Sequence, residues 1–182
     1  MDASSAAIGL GLALIPGMTK LRCYDYVNSP YAPVRDLMKG DAVGIFQRAT
    51  RAAHTRAEVI SANLHTSLGP IVVGTDIEIR VLDISEGVSV RDAPITRIKL
   101  AWSAVHGAAL FPSMQATLSI YPLTATETQL ELDGDYTPPL GAIGAAIDLA
   151  AGHSVADATV LRFVQEVAEH LRHHPGMTVT AR

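Results

Sequence analysis

The stretch TETQLELDGDYTPPLGAIGAAIDLAAGHSVADATVLRFVQEVAEHLRHH (126–174) decides the fold. Its first part alternates, with Thr128, Leu130, Leu132 and Tyr136 on one face and Glu127, Gln129, Glu131, Asp133 and Asp135 on the other. That is a strand with one dry and one wet side. Pro138-Pro139 cannot continue a central strand, so the sheet ends there. The period then changes. Val160, Leu161, Val164, Val167, Ala168 and Leu171 recur at helical spacing, behind an S-x-x-D pattern at Ser154–Asp157 and ahead of a Pro175-Gly176 stop. A helix over 155–174 is about 30 Å long, enough to cross a sheet. Gly141, Gly144 and Gly152, with the alanines between them, fit close packing or a gate beside that helix.

Upstream, the alternation repeats. TRIKLAWSAVH (96–106) puts Ile98, Leu100, Trp102, Ala104 and His106 on one face, and SMQATLSIYPL (113–123) does so with Met114, Ala116, Leu118 and Ile120. VISANLHTS (59–67) and IVVGTDIEIRVLDIS (71–85) read as two more strands about a Leu68-Gly69-Pro70 turn, and GVSVRDAP (87–94) as a polar loop. KLRCYDYV (20–27) reads as the first strand. After it, VRDLMK forms a short helix that stops at Gly40, and Asp41 caps a second, AVGIFQRATRAAHTR, with Val43, Phe46 and Ala49/Thr50 inward. One-sided strands of this kind make an antiparallel sheet covered on one face. The long C-terminal helix is the element large enough to cover it.

The predicted architecture is α+β: about six or seven antiparallel strands curved around a long C-terminal helix, with two short helices after the first strand. It resembles the helix-grip fold of the START-like (SRPBCC, Bet v 1-type) superfamily, which includes polyketide cyclases and lipid-transfer domains. The resemblance covers roughly residues 20–174 and rests on element order, YDYVNSPYAPV, VVGTDIEIRVLD and YPLTATETQLELDGDYTPPLGAIGAAID. It implies a cavity between sheet and helix for a lipid-like or polycyclic ligand. In some members that cavity serves a cyclase or dehydratase reaction.

Composition narrows the function. The chain has 182 residues, 48% hydrophobic and 18% charged, enough for one domain with a sizeable core. A net charge of −4 argues against a nucleic-acid binder. Cys23 is the only cysteine, which rules out an intrachain disulfide, and a cytoplasmic location is the default expectation. AAIGLGLALI (6–15) is far short of the roughly 20 residues of a membrane span. With Asp2 and no preceding Lys or Arg, residues 1–18 read as a leader or extended start, expected to be poorly ordered. A short packed helix or a targeting segment are the alternatives. The domain is expected over 19–176, with a tail over 177–182. Stable membrane insertion is not expected, a dimer is compatible with the sequence, and no cofactor motif occurs.

Phe46, Trp102, His106, Met114, Leu118, Tyr136, Val160 and Val164 are the candidate ligand-lining residues, mostly apolar with two polar anchors. The same set would fill an ordinary core. His106 and Tyr136 are the acid–base candidates, His106 because imidazole titrates near neutrality. A wet rim position for His106 and a structural hydrogen bond for Tyr136 are the competing readings. Asp148, Tyr24, Asp25 and Tyr26 are lesser polar candidates. His170, His173 and His174 have metal-ligand spacing, but a helix C-terminus also favours histidine, and no fourth ligand is in view, so no metal is expected. The readings that remain are a hydrophobic-ligand binder, a cyclase-type enzyme, and an interaction module with a filled core.

Overall fold

The computed structural model describes residues 19–68, 77–90, 92–104, 113–137 and 153–174. Its elements are β1 (Thr19–Val27), α1 (Tyr31–Leu68), β2 (Ile77–Val88), β3 (Pro94–Ala104), β4 (Ser113–Pro122), β5 (Thr128–Thr137) and α2 (His153–His173). The five strands form one antiparallel sheet in the order β1-β5-β4-β3-β2. The α+β class and the position of α2 agree with the helix-grip expectation, but the described strands number five rather than six or seven.

The missing strand is accounted for by VISANLHTS, which is the last part of α1 and not a strand. Val59 and Ile60 favour a strand locally, but no proline lies between Asp41 and Leu68 and the one glycine, Gly44, is in the first turn after the kink, so the helix propagates. Gly69-Pro70, read as part of a turn between strands, lies outside the described residues, directly after the end of α1 at Leu68. The two expected short helices are joined into this one element, kinked at Asp41 (φ −139°, ψ 34°). The half after the kink is long, and over its described side chains, 42–51, it buries Ala42, Ile45, Phe46, Ala49 and Thr50, with Val43 exposed.

One face of the sheet is dry, as the alternation predicts. Across it, Tyr136, Met114, Trp102 and Ile79 form one row of paired positions. Leu21, Gly134, Ala116, Leu100 and Val81 form the next. Leu132, Leu118 and Ile98 form a third. β2 is expected over 71–85, but its described part runs from Ile77 to Val88; Leu82 is exposed, and a register shift between Val81 and Asp83 turns Asp83 outward and brings Ile84 opposite Ile98 on the dry face.

Covering this face is shared work. Val160, Phe163, Val164, Val167, Ala168 and Leu171 of α2 are buried. α2 packs chiefly on α1 and β1, while α1 lies over β2 and β4, so α2 does not cover the sheet alone. Leu161, expected in the stripe, is exposed, and Phe163 takes the inward position.

The end of the sheet where α1 begins is fastened by hydrogen bonds. The Thr128 hydroxyl donates to the Ser29 carbonyl at 2.8 Å, and the hydroxyls of Tyr31 and Thr96 meet at 2.7 Å. Thr96 and Thr128 are fully buried, so these bonds satisfy groups that water does not reach. Lys39 reaches Glu86 of β2 at 3.2 Å. The opposite end of the sheet is where α1 leads into β2, β3 into β4, and β5 into α2.

Candidate functional site

The row Tyr136–Met114–Trp102–Ile79 lies at that opposite end, on the face turned to the helices. Each residue is there through strand parity: β5 carries Leu130, Leu132 and Tyr136 inward, β4 carries Met114 and Leu118, β3 carries Ile98, Leu100 and Trp102. Trp102 meets Phe163 of α2 edge-to-face, with ring centroids 5.6 Å apart and planes at 89°. Phe163 in turn meets Phe46 of α1 at 5.6 Å. The result is an aromatic chain from sheet to α2 to α1, a geometry that adds to plain area burial.

The predicted lining residues therefore divide. Trp102, Met114 and Tyr136 share one row, with Trp102 8% and Tyr136 4% exposed. Val160 and Val164 are buried on the sheet-covering face of α2, on either side of Phe163 in sequence. Phe46 joins through Phe163. Leu118 is brought elsewhere, two rows deeper between Ile98 and Leu132. His106 falls in the β3–β4 connection, outside the described residues, as do Asp148 and the glycine-rich segment 138–152. Phe163 is the residue that sequence reasoning missed. Its signal was present, since 160, 163, 164, 167, 168 and 171 form a better helical stripe than one through Leu161.

Between the aromatic row and the deeper core, Gly134 faces Ala116. A Cβ at Gly134 would lie 2.6 Å from the Ala116 Cβ and 2.8 Å from the Gln115 carbonyl oxygen. The absent side chain lets β4 and β5 approach closely under the row.

Polar groups gather at the far end of α2. Asp25 points inward and accepts from Arg172 Nη2 at 3.0 Å, while the same guanidinium donates to the Tyr26 carbonyl at 2.6 Å and to Glu169 at 3.0 Å. Burial works against the charge on Arg172, and the bonds to Glu169 and Asp25 more than offset it, so its pKa is raised. Tyr24 and Tyr26 are on the exposed side of β1. The rings of His170 and His174 lie 6.1 Å apart, but the three histidines do not gather on one point. His170 accepts from Arg48, whereas His173 Nδ1 donates to the Glu169 carbonyl at 3.0 Å. Among the described residues no group of three or more His, Cys, Asp or Glu side chains is placed to hold a metal.

A hollow of about 250 Å³ lies on the wet face of the sheet, with Leu82, Lys99, Gln115, Thr117, Asp133 and Asp135 in its lining. It is polar and carries both signs of charge, and nothing in the alternation of the strands foretold it. No helix among the described residues is long and apolar enough to cross a membrane.

No protein-family profile matches the chain, and no curated protein matches it. Among solved structures it is similar to the Zhui aromatase/cyclase of a Streptomyces species, at 13% identity over 86% of this chain and 98% of that one, with a TM-score of 0.39. It is also similar to norcoclaurine synthase from Thalictrum flavum, at 11% identity over 92% and 98% of the two chains, with a TM-score of 0.36. A Thermus thermophilus protein matches at 13% identity over 84% and 97%, with a TM-score of 0.40. Likenesses at this level carry no argument about function, so the functional reading rests on the chain's own geometry.

Proposed function

We propose that this START-like domain binds a hydrophobic small molecule, lipid-like or polycyclic, between the sheet and α2 at the Trp102 end, and does so in the cytoplasm. The observation that carries the reading is the convergence of Trp102, Met114 and Tyr136 in one inward row at the end where the connections to β4 and α2 leave the sheet. Apolar burial supplies the driving term, about 25 cal/mol per Å² removed from water. A few polar groups then set orientation, with Tyr136 and, from the β3–β4 connection, His106 as the anchors. A cyclase-type activity would use the same pair as acid and base.

A filled core is the second reading. It is favoured by the Trp102–Phe163–Phe46 contacts and by the complete burial of Phe46, Leu118 and Val164. Native mass spectrometry of the freshly purified protein separates the two. An adduct lost on denaturation, with a lipophilic compound in the organic extract, supports the binder. A clean mass that also fails to shift with added palmitate or anthracene carboxylate favours the filled core.

A further inference from the structure

α1 and α2 are tied at their rim by a contact that a proton can break. Arg48 Nη2 of α1 lies 3.1 Å from His170 Nε2 of α2, and 3.0 Å from Asp41 Oδ2. A guanidinium only donates, so His170 Nε2 must be the acceptor, with its ring proton on Nδ1. An imidazole protonated on both nitrogens has no acceptor to offer.

We infer that the Arg48–His170 contact is a proton-operated clip between the two helices, closed while His170 Nε2 is unprotonated and open once it takes a proton. Opening exchanges an N–H···N bond for two cations side by side, and leaves Arg48 to Asp41 alone. The groups that act on His170 are Arg48 and Asp41 from α1 and His174 just past the end of α2. Arg51 lies one turn further along α1. The remaining charges near this end of α2 are engaged: Glu169 with Arg172 and His173, Asp25 of β1 with Arg172, and Glu166 with Arg162. Burial, then Arg48, then His174 hold the His170 pKa below the ordinary imidazole value, against a smaller opposing pull from Asp41. The closed state is therefore the neutral-pH state.

The kink gives the clip something to release. Asp41 is the non-helical residue of α1, and its carboxylate folds over Gly44, where a Cβ would collide with it. Asp41 keeps its ion pair with Arg48 when the clip opens. What loosens is the packing of that half of α1 against α2, where Phe46 meets Phe163. Phe46 and Phe163 carry the change towards Trp102. The inference stands apart from the ligand-binding reading.

The test is hydrogen exchange of the full chain at pH 7.5 and 5.5, with rates corrected for intrinsic chemistry at each pH. Protection of 42–51 in the wild type should fall about two- to five-fold at the lower pH, the range expected for losing one half-exposed charged contact. His170→Gln keeps an acceptor oxygen without titrating and should show no such fall. Arg48→Met should be less protected at both pH values, and its imidazole titration should give a higher His170 pKa than the wild type. Unchanged wild-type protection, or an equal fall in His170→Gln, overturns the clip. If Arg48→Met does not fold, His170→Gln decides alone.

Discussion

Gly134→Ala tests the packing beneath the aromatic row. The new Cβ would sit 2.6 Å from the Ala116 Cβ, 2.8 Å from the Gln115 carbonyl oxygen and 3.0 Å from the Ala116 Cα. Two of these three atoms belong to the backbone, so no rotamer change relieves the clash and β4 must move away from β5. Overpacking of this kind costs about 1–3 kcal/mol. Gly134 has no left-handed φ, so alanine recovers about 0.4–1 kcal/mol by restricting the unfolded chain. The net expectation is destabilisation by about 1–2 kcal/mol, or a fall in Tm of about 2–8 °C for a chain of this size. Urea unfolding should show a lower midpoint with an unchanged slope. Ala116→Gly in the same chain removes the nearest atom but neither backbone contact, so it should restore part of the loss and give a favourable coupling in a double-mutant cycle. A Gly134→Ala variant as stable as the wild type, or more so, would refute the close approach of β4 and β5.

Phe163→Ala, at the centre of the aromatic chain, should cost about 3–5 kcal/mol in denaturant unfolding and alter Trp102 emission. Tyr31→Phe strands the buried Thr96 hydroxyl and should cost about 1–3 kcal/mol in the same assay. The folded His170 pKa lies below its unfolded value of about 6.5, so its contribution is present above that pH and lost as pH falls through the folded value. Unfolding midpoints measured from pH 7.5 to 5 should therefore fall less in His170→Gln than in the wild type. Cα chemical shifts over 59–67 should be helical; extended shifts there would restore the strand that the alternation suggested.

The strands of the dry face were legible because each residue's facing follows from parity alone, and Ile98, Leu100, Trp102, Met114, Leu118, Leu130, Leu132 and Tyr136 all point as the alternation predicts. The same parity brought Trp102, Met114 and Tyr136 into one candidate site. Parity says nothing of how far a helix propagates, and Val59-Ile60 looked like a strand start although α1 continues through them. Nor does it give register: only the pairing of strands put Leu118 two rows from Trp102. At the Gly40-Asp41 step the sequence marked a helix boundary correctly, and the structure makes it a kink without a loop. The clip between Arg48 and His170 joins residues 122 apart in sequence, a pairing that helical spacing within HLRHH could not suggest.

The central claim is that a hydrophobic ligand seats at the Trp102 end of the sheet. Trp102 is the only tryptophan in the chain, so its emission reports on that one place. The direct measurement is a fluorescence titration of the folded protein with 1-anilinonaphthalene-8-sulfonate, exciting the tryptophan. The account predicts saturable quenching of Trp102 with energy transfer to the probe, reversed by a competing fatty acid or polycyclic acid. Trp102 emission that stays unchanged through the titration would contradict it and leave Trp102 as part of a filled core.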